Sequence, residues 1–373
     1  MEINLEKLKE ITKKIQVILS ACSNATNLNI KSSTNNDALY FSLTTGEIYS
    51  AIKLIVSTEA NFNATVDAKA FVNMVLALPG DTIKLSIEDN VLKLSAGKSK
   101  YKLAMVFTEG VLVEPKPILV ENPETKIILP LNILKSINTV NSQEFNRRPE
   151  AKIKNIANKL YHISDVGCFT AADGFGACLN SFKLSSHFEI LATRQLVKLF
   201  SLFDTDPLLT YENKQVNSID QTVINLTSAN VRLCAYTPAD ARIKSIVTSM
   251  VTKIRRRAAM LYQVNLVLNV KELSAALGRL AIASKTDSLP GSVKLLVAGD
   301  HITFIDRNEN SEEVMLDPAS NIIGNFSTSF IVSDVKSVID LCKEPMITIR
   351  TEMGKPLVFD FDSVKYMLVP LSE

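Results

Sequence analysis

Apolar residues recur along this chain in two rhythms. Six segments repeat them at i, i+3, i+4 and i+7, the period of an amphipathic helix. These segments begin near Leu5, Asp67, Leu131, Ala192, Val270 and Val332. Between them lie short runs in which apolar and polar residues alternate, such as DTIKLSIED, NVLKLSAG and KSKYKLAMV after the second segment and MITIRTE, KPLVFDFD and VKYMLVPL after the sixth. Strict alternation is the signature of half-buried antiparallel strands. Paired in order, the starts run from Leu5 to Asp67, from Leu131 to Ala192 and from Val270 to Val332, an interval that is the same in all three pairs to within one residue. A unit of one helix and several strands therefore occurs six times, two units to a domain, which predicts an α+β chain of three similar domains spanning 1–123, 124–250 and 251–373. The first boundary falls in a proline-containing stretch, EPKPILVENPE.

Projecting each helix at about 100° per residue shows what lies opposite its apolar stripe. In the first, Leu5, Leu8, Ile15 and Leu19 face inward and Lys9 and Lys13 face outward beside Glu6 and Glu10. Lys69 faces outward on the second helix, Lys135 on the third, and Arg194 and Lys198 on the fourth. Lys271 lies opposite the stripe of the fifth with Arg279 on its flank, and Lys336 flanks the sixth. Each helix thus offers a cation, the arrangement of a sequence-independent phosphate lining if the six share a surface, and of an ordinary solvated face if they do not. These faces carry no aromatic ladder for stacking single strands, which favours duplex. Ile282 lies about 180° from Leu273, away from the core stripe, as either a subunit contact or a lone surface residue.

Composition narrows the function. The chain has 373 residues, 46% hydrophobic and 21% charged, with a net charge of only +2, so a nucleic-acid surface must come from arrangement rather than excess. Five widely spaced cysteines (Cys22, Cys168, Cys178, Cys234 and Cys342) form no CxxC pair, which argues against disulfides or zinc and for a reducing cytoplasm. The N-terminus is charged from its second residue, unlike a signal peptide, and no apolar run reaches the roughly 18 residues of a membrane span. His162, His187 and His301 stand isolated, and no phosphate-binding loop, nucleophile elbow, zinc motif or dinucleotide turn is present. Asp173 is the one acid worth weighing for a hydrolytic enzyme, and it lacks a neighbouring histidine or second acid. The expectation is a non-enzymatic protein without metal or cofactor.

Three segments, in order, resemble the bacterial DNA polymerase III beta subunit, the sliding clamp. ATVDAKAFVNMVLALPGDTIKLSIEDNVLKLSAGKSKYKLAMV is similar to that family's helix, Leu-Pro turn and following strand. FTAADGFGACLNSFKL with ILATRQLVKLFSLFD resembles its central segment, and KYMLVPLSE its terminal tail. The resemblance covers nearly the whole chain. It implies the DNA clamp fold, closing into a ring as a head-to-tail homodimer that encircles duplex DNA and tethers a replicative DNA polymerase, with a clamp loader as second partner and no membrane. The alternative is a monomeric module of the same fold that binds replication proteins without closing a ring.

The resemblance also implies sites. Dimer contacts would come from an edge strand at Lys98, Ser99, Lys100, Tyr101 and Leu103, and from Ile282 and Ala283, the last smaller than the family's usual leucine. An apolar pocket for partner peptides would use Ile156, Gly174, Phe175, Ala177, Ile246, Pro356, Met367, Val369, Pro370 and Leu371. Here the chain departs from the pattern. The family's Thr-Asp-Gly-His-Arg-Leu reads Ala172-Asp173-Gly174-Phe175-Gly176-Ala177, and the loop that flanks the pocket is absent from ADARIKSIV. The departures point to a divergent member, from a phage or an unusual bacterium, whose pocket prefers different peptides.

Overall fold

A computed structural model describes residues 1–59, 61–141, 159–172, 176–283, 291–322, 326–361 and 364–371. Seven helices lie among them: α1 (Leu5–Ala21), α2 (Ala68–Ala77), α3 (Leu131–Asn141), α4 (Arg194–Lys198), α5 (Ala241–Ala258), α6 (Val270–Ala283) and α7 (Val332–Ile339). Six of them open at or close to the expected places. The intervals from Leu5 to Ala68, from Leu131 to Arg194 and from Val270 to Val332 again agree to within one residue. The seventh, α5, stands outside the repeat.

Three of the repeat helices, α1, α2 and α6, open on a similar side-chain cap, while α7 follows Ile331 and has none. Asn4 accepts a hydrogen bond from the Lys7 amide (3.0 Å) at the start of α1, and Asp67 accepts one from the Ala70 amide (2.7 Å) at the start of α2. At α6, Asn269 accepts from the Lys271 and Glu272 amides (3.0 and 3.2 Å). A short polar side chain just before the helix satisfies amides that lack an intrahelical partner. Along α1 the buried side chains are Leu5, Leu8, Ile11, Thr12, Ile15, Ile18 and Ala21, the row that three- and four-residue spacing puts on one face. Burying each large aliphatic contributes about 1.5–3 kcal/mol. Thr12 is tolerated in the row because its hydroxyl donates to the Leu8 carbonyl at 2.7 Å.

The chain divides into two compact units, one of residues 1–135 with 195–240 and the other of 136–194 with 241–373. Each contains an eight-stranded and a four-stranded antiparallel sheet. In the first unit the large sheet runs Thr125–Ile128, Leu208–Val216, Ile219–Thr227, Val231–Pro238, Ile48–Ile55, Ala38–Thr44, Asn27–Ser32, Asn63–Asp67. Its midpoint joins strands far apart in sequence, Val231 opposite Ile52 through Ala235 opposite Ile48. In the second unit the order is Glu189–Thr193, Leu160–Ser164, Gly167–Ala172, Gly176–Ser181, Val364–Leu368, Leu357–Phe361, Met346–Thr351, Val264–Asn269. There the joint pairs Gly176 with Leu368 through Asn180 with Val364. The strands between residues 124 and 240 are thus shared out between the two large sheets.

The small sheets are ordered Glu2–Asn4, Thr82–Glu88, Val91–Ala96, Ser99–Ala104 in the first unit and Ser311–Met315, His301–Asp306, Ser292–Ala298, Phe326–Ile331 in the second. Helices α1 and α2 pack together in the first unit, as α6 and α7 do in the second. The core of the first unit includes Phe41 and Phe71, fully buried with ring centroids 6.2 Å apart.

Candidate nucleic-acid and partner-binding sites

The helix cations divide into three groups. Lys13, Lys69, Lys198 and Lys271 are exposed, Lys9 is half-buried, and none of the five has an ion-pair partner among the described residues. Lys135 is also exposed. Arg279 and Lys336 are engaged: Arg279 holds Glu312 with two hydrogen bonds of 2.7 and 2.6 Å, and Lys336 pairs with Asp340 one helical turn on. Arg194 corrects the sequence reading, which placed it facing solvent. It is only 5% exposed, at the first residue of α4, which starts two residues later than expected, follows directly on the strand Glu189–Thr193 and gives way to a 3₁₀ turn at Leu199–Leu202. Its charge acts on Tyr161, whose hydroxyl burial pushes far above the ordinary tyrosine value while Arg194 opposes the shift.

Ser99–Ala104 is an edge strand of its four-stranded sheet, with Lys98, Lys100 and Tyr101 exposed, Ser99 half-buried and Leu103 buried. Ile282, at the end of α6, is 71% exposed, and Ala283 is half-buried.

The expected peptide pocket is split. Pro356, Val369, Pro370 and Leu371 line one cavity of about 580 Å³. Ala177 and Met367 instead lie in a buried cluster with Phe169, Val358, Val247 and Val251. The last two belong to α5, whose Ile243, Met250 and Ile254 pack against the same cluster. Ile246, on the same helix, is 41% exposed, turned away from that face. Ile156, Gly174, Phe175 and the acid Asp173 lie outside the described residues. The sequence reading missed Arg257, Met260, Tyr262, Met353 and Lys355 as cavity residues. The periodicity of ARIKSIVTSMVTKIRRRA was the available signal, while Met353 sits in a turn that no pattern marks.

Both ends of α5 are tied down. Near its start, Glu189 takes Lys244 at 2.9 Å and the Thr248 hydroxyl at 3.3 Å, and also lies 2.6 Å from His162 Nε2. At its end the Tyr262 hydroxyl donates to the Arg257 carbonyl (2.8 Å). Burial pushes the Glu189 carboxyl up, but hydrogen bonds from His162 and Lys244, with their charges, hold it below the ordinary 4.5. A depressed carboxyl contributes stability above its unfolded value, and that contribution is lost as pH falls through the folded value. The seating of α5 is therefore expected to loosen below about pH 4.5. Pepsin cleavage within α5 should accelerate on acidification, with Glu189→Gln flattening that dependence. The same acid response in both proteins would count against Glu189 as the anchor.

The thiols are withdrawn from solvent. All five cysteines are buried, and desolvation pushes Cys22 to about 11 and Cys168 and Cys178 higher. No helix among the described residues is long and apolar enough to cross a membrane.

Comparison with known proteins bears on this geometry. Residues 1–110 match the family described as DNA polymerase III beta subunit, N-terminal domain. No curated protein sequence matches the chain. Among solved structures, it superposes on the beta subunit from the DNA polymerase of Streptococcus pyogenes with a TM-score of 0.75 at 16% identity, over 100% of this chain and 99% of that one. The beta subunit of Thermotoga maritima gives 0.76 at 14% identity, again over 100% and 99%. This chain has the β-clamp fold. The clamp fold also includes the Helicobacter pylori beta clamp, solved bound to a DNA ligase peptide, which matches over 100% and 99% with a TM-score of 0.71 at 11% identity. α5 begins within ADARIKSIV, the segment from which the clamp pattern's flanking loop is absent.

Proposed function

We propose that this chain is a DNA sliding clamp, a non-enzymatic collar of three domains that closes as a homodimer around duplex DNA and tethers a replicative polymerase. The observation that carries the reading is the helix repeat, its three intervals equal to within one residue, running through a chain that clamp structures match from end to end. Exposed lysines on successive repeat helices supply phosphate contacts that do not read base edges, so the collar holds DNA without fixing its position. Topological linkage then provides processivity, and a net charge of +2 is enough.

Closure follows from the two edge strands. Ser99–Ala104 presents Lys100 and Lys102 to solvent, and Ser311–Met315, an edge of the other small sheet, presents Glu313. Pairing one with the other across two copies extends both sheets and matches opposite charges. Exposed Ile282 adds an apolar contact.

The decisive experiment loads the protein onto nicked circular DNA with a clamp loader and polymerase. Retention on the circle and release after linearisation are expected, and a monomer that leaves both substrates equally fast would refute the collar. Replacing Lys13, Lys69, Lys198 and Lys271 together by Ala is expected to lower the salt dependence of loading, by about 0.9 in the log–log slope for each phosphate no longer neutralised. Arg279→Ala should change it less, since that guanidinium is already held by Glu312. An unchanged slope in the fourfold variant would remove these lysines from the lining.

A further inference from the structure

α5 has no counterpart among the repeat helices, and its composition is unlike theirs. Its 18 residues include six cations (Arg242, Lys244, Lys253, Arg255, Arg256 and Arg257) and no acid. At about 100° per residue, Ile243, Val247, Met250, Val251, Ile254 and Ala258 fall on one side. That side is seated: Val247, Val251 and Ala258 are 1%, 4% and 3% exposed, against a floor that includes Ala177, Val358 and Met367. The floor is the surface on which the sequence reading placed part of a partner's peptide, so a helix of the same chain already covers it.

What stays open lies at the helix's C-terminal end. The cavity there is lined by Arg257 from α5 and by Lys355, Met260, Met353, Val369 and Leu371. Met260, Met353, Val369 and Leu371 are 39%, 77%, 46% and 36% exposed, an unusual concentration of bare apolar side chains. Two methionines among them can reshape to fit different occupants. Both charged residues of the lining are cations, and among the described residues no acid lines the cavity. An occupant that matches this surface buries one apolar side chain and presents carboxylates to Arg257 and Lys355.

We propose that α5 is the permanent occupant of the apolar floor, and that partner docking is confined to the cavity at its end, which takes a peptide segment carrying an apolar residue flanked by acidic ones. The inference rests on reading the chain as a clamp that recruits partners, and it adds the chemistry of the recruited segment.

The test uses the full chain and two short synthetic peptides of Gly and Ser around a single Leu, one flanked by Asp and the other by Lys. Fluorescence anisotropy should show the acidic peptide binding about tenfold or more tighter, the scale of a charge pair at a partly desolvated rim. Arg257→Glu with Lys355→Glu should reverse the preference, and both positions are exposed enough to accept the change. Tryptic cleavage after the cations of α5 in the unsubstituted protein should be no faster with the acidic peptide bound. Equal binding of the two peptides, or a preference that the double variant leaves in place, overturns the proposed docking chemistry. Faster cleavage of α5 on binding overturns its permanence and makes it a lid. Retention on circular DNA without any charge preference would refute this inference alone, whereas a preserved preference without retention would refute the clamp reading alone.

Discussion

Replacing Gly176 by Val is expected to destabilise the second unit by about 3 kcal/mol or more, the upper range for a side chain forced into a packed site. A Cβ built at Gly176 would lie 2.1 Å from the Met367 carbonyl oxygen and 3.0 Å from Leu368 Cδ2. The first of these is backbone and cannot swing aside, so the strands at the joint of the eight-stranded sheet would have to part. Urea denaturation should show a lowered midpoint for the transition of the second unit, with that of the first unit in place. Gly278→Ala is the control. Its Cβ would meet only the flexible Lys336 Cε at 3.5 Å, and glycine inside a helix costs about 0.5–1 kcal/mol relative to alanine, so this change should be neutral or stabilising. A wild-type midpoint for Gly176→Val would mean that the joint tolerates separation.

The second large effect is expected at the edges of the small sheets. In the proposed ring, Lys100 and Lys102 of one copy face Glu313 of the next, so Lys100→Glu with Lys102→Glu sets acid against acid. Like-charge juxtaposition at an interface costs several kcal/mol, and a loss of about 2.7 kcal/mol weakens the dimer about 100-fold. Sedimentation should find the double variant monomeric at concentrations where the parent is dimeric, with retention on circular DNA lost in parallel. Mixing it with a Glu313→Lys variant should restore a heterodimer. Glu313 suits this swap better than Glu312, which Arg279 already engages. A double variant that remains dimeric would show that these strands do not meet.

The repeat was legible because it is written in spacing. Helix periodicity depends only on which residues are apolar, and five of the six expected starts fall within one residue of the observed ones. Arg194 was misplaced because a projection started at Ala192 treats it as a residue inside a helix, whereas the strand Glu189–Thr193 runs up to it and Arg194 is the first residue of α4. The engagement of Arg279 by Glu312 joins residues 33 apart, beyond the reach of any local pattern. α5 is legible in period, yet its segment reads from the sequence only as the absence of a loop, because a departure from the clamp pattern marks what is missing and not what replaces it. The covering of Ala177 and Met367 follows from tertiary packing that apolar letters alone cannot specify, because a peptide pocket and a helix seat use the same residue types. The two joints of the large sheets, Ile48–Ile52 with Val231–Ala235 and Gly176–Asn180 with Val364–Leu368, pair strands with whole repeat units between them, which no periodicity announces.

The first of those joints limits how the chain can be dissected. A fragment ending at residue 123 would keep the strand Ile48–Ile55 but lose Val231–Pro238, which pairs beside it. The fragment would bare a row of unpaired amides and carbonyls along IYSAIKLI, an apolar edge without proline and with one lysine. Such an edge recruits other strands and leads to aggregation. The modular look of the repeat is therefore misleading for expression: the practical unit of solubility is the shared sheet rather than the sequence domain.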